Sequence, residues 1–254
     1  MAWLRTPRNR WQAAGLHLAI SAAVGAAVMA VLAFVWYPPP LFMAGGAFRL
    51  SMTIIGVDVV LGPLLTLVVY RLGKRSLRFD LACIVALQLS ALAYGVNIAA
   101  QSRPAWIVAL PHRAVVVHAN ELHPEPTPAA AFARAPWTGP RVVAAFPPAD
   151  PAEREALLFG VLDGTAADVE HRPGYYQPIE AGLPRLLEAA RPMTRLAAQR
   201  SDLAPAMLRF ARAHGHDDLA QLAYLPLFTR DRELVLVVDR RAGRVLGPLD
   251  VAEP

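Results

Sequence analysis

The stretch Gly56–Thr66, GVDVVLGPLLT, places one aspartate and one proline inside an otherwise apolar run. How it is read decides the fold. A helix rises about 1.5 Å per residue and the hydrocarbon layer of a bilayer is roughly 30 Å thick, so about 20 apolar residues make a span. From Leu50 to Tyr70 the only charged residue is Asp58. Two neighbours have the same character: Trp11–Tyr37 carries no charge unless His17 is protonated, and Leu81–Ala100 carries none. Three such runs within the first hundred residues predict three transmembrane helices, over 11–37, 50–70 and 81–100.

The first run is longer than the apolar core of a signal peptide, about 7–15 residues. It ends in WYPPP (36–40), an interfacial aromatic anchor followed by a helix stop, and is read as a retained span. Arg5, Arg8 and Arg10 precede it. Arg71, Lys74, Arg75 and Arg78 lie between the second and third runs, and only Arg49 lies between the first and second. Basic residues accumulate on the cytoplasmic side. Residues 1–10 are therefore a basic cytoplasmic tail, and residues 101–254 lie outside, in the periplasm of a bacterial inner membrane.

Composition agrees with this division. The chain of 254 residues is 55% hydrophobic and 18% charged, with a formal charge of +5. Beyond residue 100 there are 17 basic residues against 18 acidic ones. The outer part is thus near neutral, and the excess charge belongs to membrane topology. A nucleic-acid footprint would need a basic patch or stripe. The single cysteine, Cys83, lies in the third run, so an intramolecular disulfide or a cysteine metal cluster is out of reach.

After Gln101 the pattern becomes α+β. AWIVAL (105–110), RAVVVHA (113–119) and RVVAAF (141–146) are strand-like. Residues 119–140 carry five prolines and predict an extended loop. Asp150, Pro151 and the glutamates that follow form a helix start. Leu183–Ala190 and Leu203–His214 are further helices, with Gly215 a C-terminal stop. ELVLVVDRRAGRVLGPLDV (233–251) is a strand, a turn at Gly243 and a strand. Strand order is not fixed by sequence.

A carboxylate near mid-membrane costs about 2.5–3.5 kcal/mol on insertion scales and seeks a partner in the bundle. Helical rise places Asp58 roughly 20 Å from the inner face, Tyr94 roughly 21 Å and Ser21 roughly 16 Å. Tyr94 is therefore the expected hydrogen-bond partner of Asp58. His17 and Gln88, at roughly 10 and 12 Å, make a second polar pair. Pro63 cannot donate to the carbonyl of Val59 and predicts a kink, with Gly62 relieving the crowding. Asp58 and Gly62 share a helix face. Small residues recur four apart at Ser21 and Gly25, and at Ala91, Gly95 and Ala99, a spacing that lets helices approach closely. This face serves either to pack the three spans on one another or to receive the membrane helix of a client protein.

Several blocks together resemble the TfpX/TfpZ type IV pilin accessory proteins of Gram-negative bacteria. They are WYP (36–38), GVDVVLGPLLTLVVY (56–70), KRSLRFDL (74–81), LQLSALAYG (87–95), RP (103–104), RPGYYQP (172–178) and VVDRRAG (237–243), with His17 and Ser21 in the first span. The family pattern commonly has an aspartate where this chain has His112, and residues 119–140 are an insertion. The resemblance implies a chaperone-like factor that stabilises or assembles a pilin, without a chemical reaction or cofactor. The pilin's membrane helix and its periplasmic head are the partners implied. Arg172, Pro173, Tyr175, Tyr176 and Gln177 are candidates for contact with the head, since tyrosine is enriched at contact surfaces; a packed loop is the alternative.

Other signals are weaker. HGHDD (214–218) has ligand-type side chains, but neighbours in one loop rarely converge on one ion, and no metal is assigned. The chain has no G-x-S-x-G elbow, phosphate loop or dinucleotide fingerprint. Glu153 and Glu155, two apart on a helix, diverge. A membrane-bound periplasmic ligand sensor acting through a partner is the alternative function.

Overall fold

The computed structural model describes residues 7–44, 46–123, 132, 134–229 and 232–252. Arg5 and most of the proline-rich stretch, 124–131 and 133, lie outside the described residues. Three long apolar helices come first: α1 (Arg10–Val31), α3 (Ala47–Val69) and α4 (Leu77–Gln101), with the short α2 (Leu41–Ala44) between the first two. Each long helix has the length and composition to cross a membrane. Asn9 caps α1 by accepting from the Gln12 amide at 2.9 Å, and a wider π-helical turn, Leu32–Trp36, continues it. α4 begins four residues before the expected position 81. Asp80 sits in its first turn, where a carboxylate favours the helix dipole, and pairs with Lys74 and Ser76. α3 runs as one helix across Pro63.

The remaining elements build one mixed sheet from β1 (Pro104–Leu110), β2 (Arg113–His118), β3 (Arg141–Ala145), β4 (Tyr176–Pro178), β5 (Arg191–Pro192), β6 (Leu222–Phe228), β7 (Leu234–Asp239) and β8 (Arg244–Asp250). The order is β4-β3-β1-β2-β6-β7-β8, with β5 pairing β6 at its side. β1–β2 and β6–β7–β8 are antiparallel, whereas β1–β3 and β2–β6 are parallel.

β6 escapes sequence analysis because Pro226 interrupts its apolar run, and an internal proline argues against a central strand. The pairing explains its tolerance. On one flank β6 pairs β5 at Ala223 and Tyr224 and pairs β2 at Leu227 and Phe228. Pro226 falls in the gap between these partners.

The side-chain alternation of a strand divides the core. On one face Ile107, Ala109, Leu225, Leu227, Leu234 and Leu236 pack with Leu186 of α6 (Ile179–Ala189) and with Leu41 and Ala44 of α2. On the other, Trp106, Val108 and Val143 meet Leu157 of α5 (Pro151–Leu162). Beside them Leu222, Tyr224, Val235 and Val237 meet Met193 of α7 (Met193–Gln199) and Met207 of α8 (Ala204–Ala213). Because α2 contributes to the sheet's core, the α1–α3 connection is held by the sheet domain. Tyr37 adds to this by donating to the Ser102 carbonyl at 2.8 Å, across the ends of α1 and α4.

Candidate functional site

A polar chain crosses the apolar helices. His17 of α1 bonds Thr66 of α3 through Nδ1 at 2.6 Å and Gln88 of α4 through Nε2 at 2.7 Å. Gln88 Nε2 then donates to the backbone carbonyl of Asp58 at 3.0 Å. A neutral imidazole satisfies the whole chain. Its Nε2–H donates to the Gln88 oxygen and its Nδ1 accepts from the Thr66 hydroxyl. Satisfied polar networks of this kind fix register, since any other packing would strand a donor or acceptor away from water.

α3 supplies the meeting point because Asp58, Gly62, Thr66 and Tyr70 recur every four residues on neighbouring turns. Gly62 is the opening in that row. A Cβ there would stand 2.2 Å from Gln88 Nε2 and 2.8 Å from His17 Nε2. Gly25 plays the matching role on α1, where a Cβ would stand 2.6 Å from Ile55 Cγ2. Tyr70 closes the row at the C-terminal end of α3 by donating to the Pro7 carbonyl at 2.7 Å.

Beside the polar chain lies a cavity of about 100 Å³, with Ser21, Asp58, His17 and Gln88 as its polar lining and Ile20, Val24, Ile55, Leu89 and Leu92 among its apolar walls. The structure thus gathers His17, Ser21, Asp58 and Gln88 in one place. Gln88 and His17 are the groups facing the Asp58 carboxylate. Tyr94 does not join them and is 70% exposed, pointing away from the bundle. The pairing of Tyr94 with Asp58 is therefore corrected. Depth along a helix gives no rotation about its axis, and Tyr94 lies six residues beyond Gln88, on another face. Thr66 was missed, although it continues the four-residue spacing from Asp58 and Gly62.

The RPGYYQP segment divides by burial. Tyr176 is a core residue, edge-on to Trp106 and Phe132, and its hydroxyl donates to the Glu170 carbonyl. Burial, with the neighbouring Glu170, pushes its phenol well above the ordinary range. Pro173 is buried and Gln177 lies in β4 opposite Ala144. Arg172 and Tyr175 are half-buried and stack on one another, 5.0 Å from guanidinium to ring centroid, with Tyr175 packed against the core around Trp106. Nearby, Arg113 Nη2 donates to both carboxylate oxygens of Glu170, at 2.9 and 3.1 Å, and lies 3.5 Å from Asp168. This ion pair links residues 57 apart and left no local signal in the sequence.

In HGHDD the two imidazoles have separate roles. His214 bonds the Phe210 carbonyl at 2.8 Å. His216 lies 3.2 Å from Asp239, within ion-pair distance but out of hydrogen-bond alignment. Among the described residues no three His, Cys, Asp or Glu side chains gather as a metal site.

Comparison with known proteins places this architecture. The profile of the fimbrial assembly protein FimB matches residues 5–46, which include α1, the π-helical turn after it and α2. A serogroup I fimbrial assembly protein of Dichelobacter nodosus is 28% identical over 236 residues, 89% of either chain. A serogroup E1 protein of the same organism is 27% identical over 235 residues, again 89% of each. A third, from serogroups C1 and C2, is 38% identical over 96 residues, which is 37% of this chain and 73% of that one. No solved structure matches. With that identity over nearly three-quarters of a relative, and similarity to two others along almost its whole length, the chain belongs to the fimbrial assembly protein family.

Proposed function

We propose that this protein is a non-enzymatic inner-membrane accessory factor that stabilises a type IV pilin or assists its assembly, as its TfpX/TfpZ-like blocks imply. In this reading α1, α3 and α4 cross the inner membrane, the N-terminus is cytoplasmic and the sheet domain is periplasmic. The pilin's membrane helix packs beside the cavity and its head meets the Arg172–Tyr175 surface.

The observation that carries the proposal is the division of polar groups among the apolar helices. His17, Thr66 and Gln88 are spent on holding the helices together. The Asp58 side chain lies in the wall of the cavity beside them. Gln88 and His17 face this carboxylate, and a neutral side chain could pack against them at a lower insertion cost. The names of the relatives point to the same process. Asp58→Asn and Asp58→Leu should lower pilin abundance and surface pili when co-expressed with the neighbouring pilin. Normal pili with a stably inserted Asp58→Leu protein would refute the role given to this cavity. A periplasm-dependent reporter fused after Pro254 should be active; activity only of a cytosolic reporter would overturn the topology.

A further inference from the structure

The helices and the sheet domain meet at a built junction. Arg103 is 7% exposed and donates from Nη1 to the Ala100 carbonyl at the end of α4. Its Nε donates to the Pro136 carbonyl at 3.1 Å and its Nη2 contacts the Ala135 carbonyl at 3.4 Å. The same guanidinium lies 4.7 Å from the ring centroid of Trp137. Trp137 stands edge-on to Trp36, with centroids 5.8 Å apart, and the Gly139 amide donates to the Val35 carbonyl at 2.7 Å. The loop is thus pinned to the last turns of both α1 and α4.

The position of Trp137 is unusual for a loop held so tightly. Its ring is 64% exposed although both its neighbours, Trp36 and Arg103, are buried. At the same end of the bundle Met43 and Phe48 are also exposed. A large aromatic held outward in water gains nothing from burial. At a bilayer boundary the ring sits among acyl carbons while its N–H reaches the headgroups.

From this we propose that Trp137, with Met43 and Phe48, seats the rim of the sheet domain in the headgroup–acyl boundary of the outward-facing leaflet. The proposal rests on the reading that α1 and α4 cross the bilayer. The partner is the phospholipid interface itself. Arg103 is a positioning residue that aims the ring and, being buried, leaves no charge for a phosphate. The sheet domain is then fixed at one height and tilt against the membrane, so that its client surface is presented in one orientation.

The test uses the full chain in phospholipid vesicles, labelled throughout with fluorinated tryptophan. Trp36→Phe, Trp137→Phe and Trp11→Phe variants assign three of the five fluorine signals. Lipids carrying a nitroxide near the headgroup should abolish the Trp137 signal as they do that of Trp36, while a water-soluble gadolinium chelate should leave Trp137 largely intact. Arg103→Lys, which keeps the charge but loses the fork of donors, should shift Trp137 towards the soluble quencher and leave Trp36 unchanged. A Trp137 signal lost to the chelate and spared by the lipid nitroxide, with Trp36 still quenched from the lipid, would overturn the proposal and leave the spans intact. Lipid protection lost at Trp11, Trp36 and Trp137 alike would remove the spans and the proposal together.

Discussion

Gly62→Ala is the most exacting perturbation of the polar chain. The added methyl meets Gln88 Nε2 at 2.2 Å and Gln88 Cδ at 2.8 Å, so the Gln88 side chain must swing away. It then loses its bonds to His17 and to the Asp58 carbonyl. Interhelical hydrogen bonds of this kind average about 0.6 kcal/mol in a membrane and reach about 1.7, so two of them amount to about 1–3 kcal/mol. Alanine returns up to about 1 kcal/mol through its better helix propensity. The expected net loss is about 1–2 kcal/mol. The assay is reversible unfolding in mixed micelles by an increasing fraction of denaturing detergent, applied to the wild type, Gly62→Ala, Gln88→Ala and the double variant. With Gln88 already truncated there is no side chain to displace, and His17 is freed from its anchor. The second substitution should then cost close to nothing. Additivity of the two single effects within about 0.5 kcal/mol, the usual range for uncoupled sites, would refute the role given to Gly62.

Gly182→Ala should destabilise the sheet domain, because its Cβ would stand 2.2 Å from the Ala144 Cβ, which has no rotamer to adopt; overpacking of about 2 kcal/mol predicts a thermal midpoint lower by about 4–8 °C by near-ultraviolet circular dichroism. Tyr176 predicts a loss of stability in alkali. Its phenol is raised above its ordinary value of about 10 by burial, so the folded state holds the proton. Its contribution is complete below pH 10 and falls away as the pH rises beyond that. Tyr176→Phe should flatten the thermal midpoint between about pH 9 and pH 11 while costing about 1 kcal/mol at neutral pH through the lost bond to Glu170. His112, at φ 73° in the β1–β2 turn, is the one non-glycine residue with positive φ among those described. His112→Gly should raise chemical stability by about 0.5–1 kcal/mol in urea titration, and a lower midpoint would show that the imidazole has a stabilising contact there.

What the sequence determined by itself were the features that depend on near neighbours. Chain length without charge marks three apolar helices whatever they pack against. Asp150 before Pro151 marks the start of α5, where its carboxylate accepts from the Ala152 and Glu153 amides. A strand, a turn at Gly243 and a strand mark β7 and β8. Helical rise brought His17 and Gln88 to nearly one depth, because depth is a property of a single helix. Rotation about each axis is set by contact between helices. Only the tertiary structure, through the close approaches at Gly25 and Gly62, turned His17 toward Thr66 and Gln88 and left Tyr94 outside. The same holds in the sheet. The place of β6 beside β2, the gap that accepts Pro226 and the pair of Arg113 with Glu170 join residues far apart in the chain. Their partners are chosen by which surfaces can be buried together, and a single sequence carries no local record of that choice.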